Sequence, residues 1–288
     1  MKRALFVLTA LLLLMACGCN QMNNTQIVAT TRPVYDFTQL LCQDTDIQVS
    51  LLITENVSCL HDYSVQISQM KMLEQAELVI LNGAGLEAFL SDIIPENVSK
   101  IDSSENIALI CTESHENHTE HNHEVDPHIW LNVANARAMT QNIYDALCNI
   151  YPQYKAIFLK NLESINAEFE ALYNYGKAEL FQLSCRELIT FHDGFSYFAQ
   201  GFDLTIVKAV EEESGSECSA AELISLINIV KSKNLPAIFT EVSGSTSAAE
   251  IISAETGANI FILDMGMSER DYFDTMYHNI DTVKEALK

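Results

Sequence analysis

The sequence predicts an α/β protein built as two small parallel-sheet lobes joined by one long backbone helix. Three observations predict it. Short apolar, β-branched runs alternate with helical patterns from Ile27 to Ile110, and the same alternation resumes at Glu187. That rhythm implies parallel strands covered by helices. Between the two halves lies a helical stretch longer than a small lobe needs. The chain has 288 residues, 48% of them hydrophobic and 19% charged, enough for two cores of ordinary composition.

The N-terminus reads as a leader. Lys2 and Arg3 precede an uncharged run from Ala4 to Ala16 in which Thr9 is the one polar residue. The run is too short to span a bilayer comfortably and fits the apolar core of a secretory signal. It ends at Leu14-Met15-Ala16-Cys17, which resembles the lipobox of bacterial lipoproteins. That resemblance implies a signal peptide over 1–16, lipidation of Cys17, and a polar tether over 17–26. Cys19 is a second candidate for the lipid, and a plain cleaved signal is the alternative. The implied location is outside the cytoplasm: anchored to the outer face of the cell membrane, or periplasmic.

An N-terminal α/β lobe is predicted over 27–151. Its strands are Ile27–Thr31, Ile47–Ile53, Leu78–Leu81 (closed by Asn82-Gly83) and Ile107–Ile110. Its helices are Val34–Cys42, Ser64–Gln75 and Val133–Ile150. Pro152 then sits where a first helical turn tolerates proline. The linking helix is predicted over 152–183, with Ile157, Ile165, Phe169 and Leu172 at roughly helical spacing. About 30 residues at 1.5 Å each make roughly 45 Å of helix, enough to cross between lobes.

The C-terminal α/β lobe is predicted over 184–288. Strands Glu187–Phe191, Leu204–Val210, Ala237–Thr240 and Ile260–Leu263 alternate with helices near Phe195–Gln200, Ser219–Lys233, Ser247–Glu255 and Arg270–Leu287. Ser219 and Glu222 have the spacing of a capping box, and Gly257 is placed to end its helix.

Composition excludes one class of partner. Sixteen Lys and Arg against 39 Asp and Glu give a net charge of −23, so a nucleic acid would be repelled. Beyond the tether lie Cys42, Cys59, Cys111, Cys148, Cys185 and Cys218. Their spacing matches no compact disulfide framework and contains no C-x-x-C pair, so bridges and free thiols both stay open.

Histidine carries the chemistry. Four of the eight, His115, His118, His121 and His123, crowd into 112–125 with Glu113, Glu116, Glu120 and Glu124 among them. So few apolar residues predict a loop rather than a folded element, and neutral imidazoles make it an auxiliary metal-binding tract or a solvated, pH-sensitive loop. His61, His128 and His192 are isolated. His61 follows Ile47–Ile53, His128 lies in Asp126-Pro127-His128-Ile129-Trp130-Leu131 before a helix, and His192 follows Glu187–Phe191. Asp264 follows Ile260–Leu263 in the same way. Ligands of parallel α/β sheets gather beyond the carboxyl ends of the strands. Three imidazoles and one carboxylate converging there make a near-tetrahedral site suited to zinc.

The chain resembles the zinc- and manganese-binding lipoproteins of bacterial ABC importers over nearly its whole mature length. Asp126-Pro127-His128-Ile129-Trp130-Leu131 is similar to that family's D-P-H-x-W-L. His192-Asp193-Gly194-Phe195-Ser196-Tyr197-Phe198 resembles its H-x-A-F-x-Y-F. Glu77 to Gly83 with Gly85-Leu86-Glu87, Glu255 to Ala258 with Asp264, and Tyr272 with Met276 to Asn279 resemble its remaining landmarks. The resemblance implies a metal site in the cleft between the lobes, with ligands His61, His128, His192 and Asp264. It also favours zinc as cargo, since the third ligand is a histidine, with manganese as the alternative, and implies a partner importer made of a membrane permease and its ATPase. A monomer without catalytic activity is expected.

The sequence departs from the family around His61. Leu60 precedes it, and Ser64 to Gln69 lacks the usual proline. Cys59 is an unusual neighbour whose thiolate would bind zinc well. Glu241, after Ala237–Thr240, is a further ligand candidate or a supporting carboxylate. Rival readings are a zinc hydrolase, for which no H-E-x-x-H or nucleophile elbow is present, and a surface adhesin.

Overall fold

The computed structural model describes residues 26–55, 60, 63–112, 124–211, 218–242 and 246–288. The leader 1–16, Cys17, Cys19, most of the tether, Cys59, His61, His115, His118, His121 and His123 lie outside the described residues.

The first sheet contains β1 (Gln26–Ala29), β2 (Gln48–Leu51), β3 (Leu78–Leu81) and β4 (Ser99–Asp102), interleaved with helices α1 (Arg32–Leu41) and α2 (Ile67–Gln75). Its order is β2-β1-β3-β4, and every pair is parallel. Ile27, Val28 and Ala29 are fully buried, as a central strand covered on both faces requires. The expected strand Ile107–Ile110 does not form. Ile110 instead reaches across to the other lobe, its N–H donating to the Tyr197 hydroxyl at 2.8 Å. The fourth strand is Ser99–Asp102, a polar edge segment that no apolar run announces.

A two-stranded antiparallel hairpin follows, β5 (Cys111–Thr112) with β6 (Glu124–Val125). The Tyr197 hydroxyl also donates to the Asp126 carbonyl at 3.1 Å, so one tyrosine of the second lobe grips the base of this hairpin. A 3-10 turn, Ile129–Leu131, then leads into α3 (Val133–Ile150), capped by Asn132.

Pro152–Tyr154 forms a 3-10 turn, and the long helix α4 runs over Lys155–Glu179. Its 25 residues span about 38 Å, shorter at both ends than expected. Gly176 lies inside it because a Cβ there would sit 2.3 Å from the Phe202 ring.

The second sheet holds β7 (Glu187–His192), β8 (Thr205–Glu211), β9 (Ala237–Glu241) and β10 (Asn259–Leu263). It alternates with α5 (Ser196–Gly201), α6 (Ala220–Lys233), α7 (Ser247–Thr256) and α8 (Tyr272–Leu287). Its order is β10-β9-β7-β8, all parallel. The predicted capping box starts α6: Ser219 Oγ accepts from the Glu222 N–H at 3.3 Å, and Glu222 Oε2 accepts from the Ser219 N–H at 2.9 Å. Gly257, at φ 81°, closes α7 in a conformation that favours glycine.

One apolar core joins the two sheets. Val28, Phe37, Phe169, Met276 and Ile280 belong to a single buried cluster. At its centre Phe37, Phe169 and Tyr272 pack edge-on, with centroids 4.8–5.8 Å apart, in the geometry aromatic quadrupoles favour. Polar bonds cross between lobes as well. Asp36 Oδ2 accepts from the Tyr272 N–H at 2.9 Å, and the Trp130 indole donates to the Met265 carbonyl at 2.8 Å. A smaller cluster around Ile189, Leu226, Val230 and Ile252 lies under α6 and α7. Among the described residues, Cys42, Cys111, Cys148 and Cys185 carry free thiols, and no helix is long and apolar enough to cross a membrane.

Candidate metal centre

The second sheet delivers its polar residues by register. His192 is the last residue of β7 and Glu241 the last of β9. Leu263 pairs with Glu241, so Asp264 leaves the sheet one step beyond. All three side chains are buried, at 3%, 5% and 3% exposure. Parallel strands put them at the same carboxyl edge.

His128 arrives differently, from the segment after β6. Asp126 Oδ1 accepts from the His128 backbone N–H at 2.9 Å and pairs with ring Nδ1 at 2.8 Å. A carboxylate on Nδ1 holds the proton there and leaves the Nε2 lone pair for a ligand. Trp130 packs against the same ring with centroids 5.3 Å apart.

These placements bring two imidazoles together. The Nε2 atoms of His128 and His192 are 3.4 Å apart, and the rings are perpendicular, with centroids 5.2 Å apart. Two nitrogens bound to one tetrahedral zinc at about 2.0–2.1 Å are themselves about 3.3–3.4 Å apart. Behind His192, on its Nδ1 side, stands Glu241 Oε1 at 4.0 Å. Glu241 thus faces His192 from the side on which Asp126 faces His128, but at ion-pair rather than hydrogen-bond distance.

Asp264 lies at the same edge, with its carboxylate turned into its own loop. Oδ1 accepts from the Gly266 N–H and Oδ2 from the Ser268 hydroxyl, each at 2.8 Å. The Arg270 guanidinium is 3.8 Å from Oδ2. Asn279 of α8 clamps the Asp264 backbone, accepting from its N–H and donating to its carbonyl. Among the described residues, no three His, Cys, Asp or Glu side chains are close enough to hold an ion. The structure thus unites His128 with His192 and leaves the Asp264 carboxylate out of that pair, bonded within its own loop.

Gly194 closes the space between the histidines. A Cβ there would lie 2.4 Å from Met265 Cε, 2.8 Å from His192 Cδ2 and 3.1 Å from His128 Nδ1. The Met265 thioether fills the volume a side chain would need. Sequence reasoning assigned no role to Asp126, Gly194 or Tyr197. Asp126 has the one local signal, two residues before His128.

The chain matches the family described as the periplasmic zinc-uptake complex component A, ZnuA, over residues 27–286. It is 27% identical over 310 residues to the high-affinity zinc uptake system protein ZnuA of Bacillus subtilis, covering 98% of this chain and 97% of that protein. It is 26% identical to the zinc-binding lipoprotein AdcA of Streptococcus pneumoniae, covering 99% of this chain but only 61% of that longer protein. A ZnuA crystal structure superposes with a TM-score of 0.82 at 28% identity, covering 92% of this chain and 99% of the other. From a fold of two parallel sheets, a paired histidine edge and this match, the chain belongs to the zinc-uptake complex component A family.

Proposed function

We propose that this protein captures one zinc ion outside the cytoplasm and hands it to an ABC importer. The ion is cargo. Its ligands on this reading are His61, His128, His192 and Asp264, in the cleft between the lobes. The observation that carries the reading is the 3.4 Å separation of two buried imidazole nitrogens, the edge of a zinc tetrahedron. Each imidazole is backed by a carboxylate, as metal-binding histidines usually are. Loading requires the Asp264 carboxylate to exchange part of its bonding with Ser268 and Arg270 for the metal.

Zinc is preferred over manganese because imidazole suits zinc, whereas manganese favours oxygen donors. The His-rich tract His115, His118, His121 and His123 would collect ions as an auxiliary site. Cys17 would carry the lipid that keeps the protein beside its permease and ATPase. A bound, fully ligated ion leaves no place for a catalytic water, so the reading includes no hydrolysis.

Equilibrium dialysis and calorimetry with zinc and manganese test the proposal. One zinc per chain at micromolar affinity or tighter is expected, with weaker manganese binding. Absence of zinc binding at that level overturns it.

A further inference from the structure

The carboxyl end of the first sheet contains a buried acid that the metal site does not use. Glu87 is 7% exposed. Its Oε1 accepts from the Thr30 hydroxyl at 2.5 Å and the Asn82 N–H at 2.7 Å, and its Oε2 from the Gly83 N–H at 3.1 Å. Thr30 follows β1, and Asn82 and Gly83 follow β3, so one carboxylate ties two neighbouring strand ends. Gly83, at φ 84°, makes the turn that brings Glu87 back beneath them.

Asn82 carries this platform to the other side. Its backbone carbonyl accepts from the Ser103 hydroxyl at 2.8 Å, just past β4. Its side-chain amide donates to the Pro127 carbonyl at 3.1 Å. Pro127 is joined to His128 by the peptide whose N–H is held by Asp126. Both ends of that peptide unit are therefore gripped: the N–H by Asp126 and the carbonyl by Asn82. Asn82 is fully buried, and among the described residues its side-chain amide donates to this carbonyl and, at 3.2 Å, to the Gly83 carbonyl of its own turn.

We infer that Asn82, held by the buried carboxylate of Glu87, is a positioning residue that fixes the Pro127–His128 peptide and so aims His128 at the metal. The inference rests on His128 being a ligand. A peptide held at both ends cannot rotate, and with the ring held at Nδ1 by Asp126 the imidazole keeps its Nε2 facing His192. The benefit is preorganisation: ordering of the ligand is done during folding rather than on binding. The same logic makes partners behind a ligand worth about 10- to 100-fold in metal affinity.

Zinc affinity by chelator competition, the visible spectrum of the cobalt-loaded protein, and the unfolding temperature of the metal-free protein test this together. Asn82→Ala and Glu87→Gln are compared with Leu41→Ala, a cavity at the opposite end of the sheet, and with His128→Ala. Asn82→Ala is expected to weaken zinc by about 10-fold and to change the cobalt spectrum. Glu87→Gln, which leaves the amide in place, is expected to do the same more weakly. Their double variant should lose less than the product of the two, because the residues act in series. Leu41→Ala should lower the unfolding temperature yet leave affinity and spectrum within about twofold, as a distant site does.

The inference is overturned if Asn82→Ala and Glu87→Gln both bind zinc like the wild type while His128→Ala does not. It is also overturned if affinity falls with unfolding temperature in all variants alike, Leu41→Ala included. An unaffected His128→Ala removes the metal site itself, and the inference with it. Should Asn82→Ala not fold, the spectrum and affinity of Glu87→Gln decide.

Discussion

The two lobes present their candidate ligands by different means. In the second sheet, His192 and Glu241 are the terminal residues of adjacent strands and Asp264 is one step past a third. Strand register alone carries them to one edge. In the first lobe, His128 lies on no strand. It follows a two-residue hairpin strand and is aimed by side-chain bonds from Asp126 and Asn82. A ladder of backbone bonds is a stiff support, whereas a loop ligand needs each degree of freedom restrained by a named partner. The first-lobe half of the site is therefore the half more open to disruption by single substitutions behind the ligand.

The comparison breaks first at the ligands. Removing either imidazole, as His128→Ala or His192→Ala, is expected to weaken zinc by more than the roughly 100-fold upper range of supporting residues, read by chelator competition. If only one of the two matters, the paired site is wrong.

Next comes pH. Burial pushes up two carboxyls of the first lobe, Asp36 to about 6 and Glu87 to about 7. A carboxyl raised in the folded state adds stability below its ordinary value of 4.5, and that contribution is lost as pH rises through about 7. For buried Glu87, the unfolding free energy of metal-free wild type minus that of Glu87→Gln should fall by on the order of 2–3 kcal/mol from pH 5 to pH 8. Denaturant titrations at the two pH values check this, and a flat difference rules it out.

The supporting carboxylates sharpen the contrast. Asp126→Asn removes the charge from a 2.8 Å bond to His128, while Glu241→Gln alters a carboxylate 4.0 Å from His192. The first should cost about 10- to 100-fold in zinc affinity and the second less. Equal losses would mean that register does not relieve His192 of dependence on its partner. Smallest is Ser219→Ala, which removes the α6 cap. It should cost about 1 kcal/mol of stability and leave zinc affinity unchanged, because α6 packs on the smaller core away from the histidines.

Much of this was legible in the sequence where residues speak locally. The Ser219/Glu222 box, the Gly257 stop, the Leu78–Leu81 strand and the α3 limits follow from neighbours within a few positions. The placement of His192 and Asp264 was legible because a strand end fixes what comes next. Ser99–Asp102 was not, since an exposed edge strand needs no apolar alternation and takes its hydrogen bonds from β3. Ile107–Ile110 misled because its apolar residues pack against the shared core from an irregular path. Glu87 was not legible as a platform, as its partner Thr30 is 57 residues away. Gly194 was silent because its reason is a methionine methyl 71 residues on.

The bond from Asp36 to the first turn of α8 joins residues 236 apart, beside the aromatic trio that completes the core. The first lobe thus lacks part of its interior until Tyr272 arrives with the last helix. Loop closure over such a span is slow and is repaid late. The first lobe and α8 thus share one interior, so a change that loosens either should be felt in both.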